Sequence, residues 1–139
     1  MRPVVPVREV MKKNVVRISA DDTLWIVKEI MDLGSVRHIP VVDRGALVGV
    51  VSQRDLLRAS LSNLIAISAE EQKIFLEGVR IAEVMSAPPR TIGPDEGIQT
   101  AARLMAENKI GCLPVVDGRE IVGILTETDV LRYFALLPA

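Results

Sequence analysis

The segment LVGVVSQRDLL fills positions 47–57, and IVGILTETDVL fills positions 121–131. In each, an apolar run of strand type ends on a hydroxyl residue, Ser52 or Thr126. Three positions on, Asp55 or Asp129 opens a helical pattern. The two junctions lie 74 residues apart, and that offset holds without a gap from Glu9 to Leu57. It pairs Glu9-Val10-Met11 with Glu83-Val84-Met85, Ile18 with Ile92, Asp21 with Asp95 and Met31 with Met105. PVVD at 40–43 falls on PVVD at 114–117, and Val48-Gly49 falls on Val122-Gly123. Pro, Gly and Asp kept in register over that length identify an internal duplication.

Each copy carries the same element pattern. A short β-branched run (Val15–Ile18, or Thr91-Ile92) leads to an acidic pair expected to start a helix, Asp21-Asp22 or Asp95-Glu96. Leu24, Val27, Ile30, Met31 and Gly34 then follow at three- and four-residue steps, as do Ile98, Ala101, Leu104, Met105 and Asn108. Both stretches predict amphipathic helices with one inward stripe. Two apolar runs separated by DRG (43–45) or DGR (117–119) predict a β-hairpin, and a second helix follows it. The fold class is α/β, with the order β-α-β-β-α written twice. A copy of this size builds a poor core alone, so the two are expected to pack as one pseudo-symmetric module.

The repeats span 7–60 and 81–135, with a helical linker over 61–80. Within the linker, Ser68-Ala69-Glu70-Glu71 has the form of a capping box. Ile74, Phe75 and Val79 are expected on the core side of the helix it starts. Trp25 falls off the inward stripe of the first helix, against the linker or a second copy.

Composition excludes several classes. A net charge of −1 carries no basic field for nucleic acid, and 3% aromatics offer no base-stacking platform. Apolar residues at 49% argue against disorder. No apolar run reaches membrane-spanning length, and the start lacks a signal-peptide core. The lone Cys112 suits a reducing compartment, so a cytoplasmic location is expected.

At the junctions, the plain role of Ser52, Asp55, Thr126 and Asp129 is helix capping. The same atoms can serve a ligand. Helix N-terminal amides favour a phosphate, and a carboxylate can accept both hydroxyls of a ribose. Gly49 and Gly123 inside strands, and Pro40 and Pro114 at strand starts, mark either close approach of a ligand or a bulge and an open edge. Residue chemistry leaves both readings open.

The ordered set of EVM openings, VVRISADDT and PRTIGPDEG, the PVVD segments, and VGVVSQRDLL with VGILTETDVL resembles a tandem pair of CBS domains, the Bateman module. That resemblance covers about 7–57 and 81–133. It implies a regulatory module that binds adenosine-containing ligands in clefts between the repeats. AMP, ADP and ATP are the commonest of these, with S-adenosylmethionine or NAD in some members. By resemblance, Asp55 and Asp129 hold ribose hydroxyls, Ser52 and Thr126 sit near phosphate or ribose, and Thr91 lines a pocket. Arg17 stands where Thr91 has its counterpart, a departure that sets the two sites apart. Arg37 and His38 match phosphate-contacting positions, whereas copy two has Gly111 and Cys112 there.

The resemblance also implies a homodimer, signalling to an unknown effector protein or through its own assembly, with no required cofactor. Catalysis is disfavoured: His38 and Cys112 are the only His and Cys, at equivalent positions in the two copies, and no phosphate loop of the P-loop type occurs. The rival is a ligand-independent dimerisation or docking module with vestigial nucleotide sites.

Overall fold

A computed structural model of the chain describes residues 4–61 and 68–138, so residues 62–67, near the start of the expected linker, lie outside the described residues. The elements are β1 (Ile18–Ser19), α1 (Leu24–Leu33), β2 (His38–Asp43), β3 (Ala46–Ser52), α2 (Gln53–Leu61), α3 (Ala69–Glu77), α4 (Ile98–Asn108), β4 (Cys112–Asp117), β5 (Glu120–Thr126) and α5 (Glu127–Ala135). The β-α-β-β-α order holds in both copies, although the first strand of copy two shrinks to a single bridge between Ile92 and Val115.

Each hairpin closes through two residues. Arg44 and Gly45 both have positive φ, 52° and 80°, which suits the right-handed twist of the flanking strands. In copy two only Gly118 does, at 63°. Both hairpins then bulge at the same place, between Val41 and Val42 and between Val115 and Val116. β1 pairs parallel with β2, and β2 antiparallel with β3.

Pro114 ends its parallel ladder. Its carbonyl accepts the Ile92 N–H at 3.1 Å, but with no N–H of its own it cannot extend the pairing backwards.

Packing divides the chain differently from the repeats. One unit runs Val16–Pro89, and the other joins the segment ending at Val15 to the segment starting at Arg90. Each repeat's EVM opening therefore packs with the strands of the other repeat. Lys12 and Ile124 exchange both backbone hydrogen bonds at 2.9 Å, which adds a rung outside β5. Val50 and Ser86 do the same outside β3, at 3.1 and 2.9 Å. An exposed strand edge is covered in each case.

The core of the Val16–Pro89 unit gathers Leu24, Val27 and Met31 of α1 with Ile39, Val41, Val51, Leu76 and Ile81. The other core gathers Ala101 and Met105 of α4 with Val7, Ile92, Leu113, Val115 and Leu125. Each aliphatic side chain so buried contributes about 1.5–3 kcal/mol.

Two local expectations need correction. The acidic pairs sit one turn too early to be first-turn residues. Asp22 accepts the Ser19 N–H at 2.9 Å and Glu96 the Gly93 N–H at 2.7 Å, and the helices begin after them at Leu24 and Ile98. Ile74 faces outward at 66% exposure, while the fully buried residue of α3 is Leu76, with Phe75 and Val79 packed beside it. The Ser68 cap of α3 is present, its hydroxyl accepting from the Glu71 N–H at 3.1 Å.

Trp25 is half-buried under the linker helix, with the Lys73 ammonium 5.3 Å from its ring centre. No helix among the described residues is long and apolar enough to cross a membrane.

Candidate functional site

Where β3 hands over to α2, the chain turns on Ser52 and Asp55. The Ser52 N–H donates to Asp55 Oδ2 at 2.8 Å, and the Asp55 N–H donates to Ser52 Oγ at 3.1 Å. The β5–α5 junction repeats the pair. The Thr126 N–H donates to Asp129 Oδ2 at 2.9 Å, and the Asp129 N–H donates to Thr126 Oγ1 at 3.3 Å. Both are reciprocal capping boxes, so the helix-capping role of these residues is real.

Capping alone does not call for burial, yet both carboxylates are 6% exposed. A charge removed from water in this way must be offset by hydrogen bonds, and here the helix N-terminus supplies them. What surrounds each carboxylate differs. Oδ2 of Asp129 takes the Thr126 hydroxyl as well, at 2.9 Å, while Lys12 Nζ stands 3.7 Å from Oδ1.

In the Val16–Pro89 unit, His38 is half-buried at the start of β2 and pairs across the hairpin with Ser52. The Arg37 carbonyl accepts the first N–H of α2, from Gln53, at 2.8 Å, and its side chain is exposed. The backbone thus gathers Arg37, His38, Ser52 and Asp55 at one junction. Arg17, exposed, directly precedes β1.

In the other unit Cys112 occupies the place of His38, opposite Thr126. Burial, reinforced by the nearby negative Asp129, pushes its thiol up to about 12 from an ordinary 9.0. A nucleophilic cysteine needs the opposite shift. Thr91 is exposed beside Ile92 and makes no hydrogen bond to Thr126 or Asp129 among the described residues.

The strand glycines have a structural cause. A Cβ on Gly49 would lie 2.7 Å from the Met85 sulfur and 2.9 Å from the Ser86 carbonyl oxygen. On Gly123 it would meet the Met11 sulfur and lie 2.9 Å from the Lys12 carbonyl oxygen. The group that approaches is the chain's own EVM segment, so these glycines are no sign of a ligand.

Residue-by-residue reading misses Lys12 and its counterpart Ser86. The signal for them lies in the 74-residue offset taken together with the paired Met and Gly positions.

The sequence matches the CBS domain family over residues 7–62 and 81–136. A CBS domain-containing protein of Dictyostelium discoideum is 31% identical over 91% of this chain and 89% of its own length. A longer relative from Methanocaldococcus jannaschii is 30% identical, and this chain spans 32% of it.

Among solved structures, the CBS domain pair of protein MJ0100 superposes with a TM-score of 0.81 at 27% identity, over 96% of this chain and 98% of that one. It was solved in complex with 5′-methylthioadenosine and S-adenosyl-L-methionine. CBSX2 in complex with AMP superposes at 0.76 with 28% identity, over 94% of this chain and 96% of that one.

Proposed function

Since the chain belongs to the CBS domain family, with two repeats that occupy most of its length, we propose that it is a regulatory module which binds adenosine-containing ligands at its two strand-to-helix junctions. CBS pairs of this kind are regulatory and not catalytic. The observation that carries the proposal is the duplicated carboxylate, Asp55 and Asp129, buried at 6% exposure in the first turn of α2 and of α5.

In this reading each Asp accepts ribose hydroxyls. Ser52 and Thr126 lie beside it, Thr91 lines a pocket, and Arg37, His38 and Arg17 attract phosphate. The adenosine ligands of the MJ0100 pair and of CBSX2 support that class, with AMP, ADP, ATP, S-adenosylmethionine and NAD as candidates.

A homodimer belongs to the same proposal. It is supported by the outward apolar side chains of α2 and α5: Leu57 at 60%, Leu61 at 57%, Leu131 at 67% and Phe134 at 73% exposure. Signal then passes through assembly or through an effector protein. A cytoplasmic setting belongs to the same proposal, since a lone free Cys112 suits a reducing compartment.

Calorimetric titration of wild type, Asp55→Ala and Asp129→Ala with that panel tests the reading. Each charge-assisted hydrogen bond contributes about 1.5–3 kcal/mol, so each Asp→Ala change, which removes two, is expected to weaken its site by roughly 100-fold or more.

A second reading rests on the completeness of the two capping boxes, which need no ligand. It makes the chain a ligand-independent dimerisation or docking module. The two readings separate in a thermal melt, because a ligand at 100 times its Kd stabilises by about 2.7 kcal/mol. No rise with any adenosine ligand selects the docking module.

A further inference from the structure

The two junctions share their carboxylate and their cap, and one of the neighbours in which they differ places a charge against the carboxylate. At Asp129 that neighbour is Lys12, rooted by two backbone hydrogen bonds to Ile124 at 2.9 Å. Ser86 holds the matching place beside β3, rooted in the same way to Val50. Thr126 supplies both donors to Asp129 Oδ2, so Oδ1 is the oxygen that Lys12 faces.

At 3.7 Å the ammonium lies beyond hydrogen-bond range of Oδ1, and the Lys12 side chain is 56% exposed. It is therefore an ion-pair partner with a fixed root and a movable tip. An ammonium is also a point-charge binder of phosphate.

Resting on the adenosine-binding reading above, we infer that Lys12 makes the Asp129 junction selective for adenosine ligands that carry negative charge. A ribose hydroxyl that takes Oδ1 displaces the ammonium from its carboxylate. A phosphate on the same ligand gives the ammonium a new partner, whereas uncharged adenosine leaves it with water. A sulfonium ligand adds a second cation beside it. At the Asp55 junction Ser86 brings no charge, so this displacement of an ammonium does not operate there, and phosphate is met by Arg37, His38 and Arg17 instead.

Titrations with AMP and adenosine test the inference, using the Asp55→Ala chain so that only the Asp129 junction reports. AMP is expected to bind roughly tenfold or more tightly than adenosine, with a preference that shrinks as salt rises. Lys12→Ser, which copies Ser86 and keeps the backbone rung, should erase the preference by weakening AMP alone. Lys12→Arg should retain it.

An unchanged AMP-to-adenosine ratio in Lys12→Ser, with both ligands still bound, overturns the inference and leaves the adenosine reading intact. Failure of wild type to bind AMP or adenosine overturns this inference, and failure with every adenosine ligand of the panel overturns that reading as well.

Discussion

Gly49 lies directly beneath Met85, so close that a Cβ at position 49 would come within 2.7 Å of the sulfur. The Met85 side chain could swing aside, but the Ser86 carbonyl oxygen, 2.9 Å from the same point, is held by its backbone pairing with Val50. Gly49→Ala is therefore expected to destabilise the protein by about 1–3 kcal/mol, the usual penalty of overpacking. The urea midpoint measures it. Met85→Ala in the same chain removes the sulfur but not the carbonyl, so the double variant should stay well below Met85→Ala alone. Equal midpoints for those two would show that the sulfur was the whole obstacle.

The Thr126 hydroxyl does two jobs, accepting the Asp129 N–H and donating to Asp129 Oδ2. Thr126→Ala should cost about 1 kcal/mol through the lost cap. Thr126→Ser should cost a small part of that, because the hydroxyl stays. Denaturant unfolding of the two variants checks the order. Any fall in ligand affinity after Thr126→Ala has meaning only at temperatures where that variant is fully folded.

Much of the fold is legible in the 74-residue offset, because a duplication must solve the same packing problem twice. The inward stripe of α1 and α4, the two hairpins and both capping boxes follow from local periodicity and turn chemistry. The partner of each EVM opening does not. Gly49 and Gly123 announce that something approaches closely, but only tertiary structure identifies it as Met85 and Met11. Lys12 stays hidden for the same reason, since its neighbour Asp129 belongs to the other repeat. In the linker, near-helical spacing cannot choose between adjacent apolar residues. Phase is set by what α3 packs on, and that is α1.

That phase gives a sharp contrast between two residues of one helix. Leu76 is fully buried in the core shared with Leu24 and Ile81, whereas Ile74 is 66% exposed. Leu76→Ala should cost about 2–5 kcal/mol through lost burial and the cavity left behind. Ile74→Ala should change stability by no more than about 0.5 kcal/mol. Similar losses for both would mean that α3 does not dock on the core in this phase.

Cys112 makes alkaline stability a readout of its burial. Its thiol is pushed up to about 12, first by burial and then by the negative charge of Asp129, while in the unfolded chain it titrates near its ordinary 9.0. Between those values the folded protein keeps a proton that the unfolded chain has lost. Stability should therefore fall as pH rises from 9.0 toward 12, by roughly 1 kcal/mol per pH unit from this group. Well below 9.0 the group contributes no slope, because the thiol is protonated in both states. Cys112→Ala should flatten that alkaline limb relative to wild type, and urea titrations at stepped pH would show it. The same burial predicts that iodoacetamide leaves Cys112 unmodified in the native protein at neutral pH and alkylates it in urea. Rapid native alkylation, or parallel alkaline limbs in the two chains, would place the thiol at the surface.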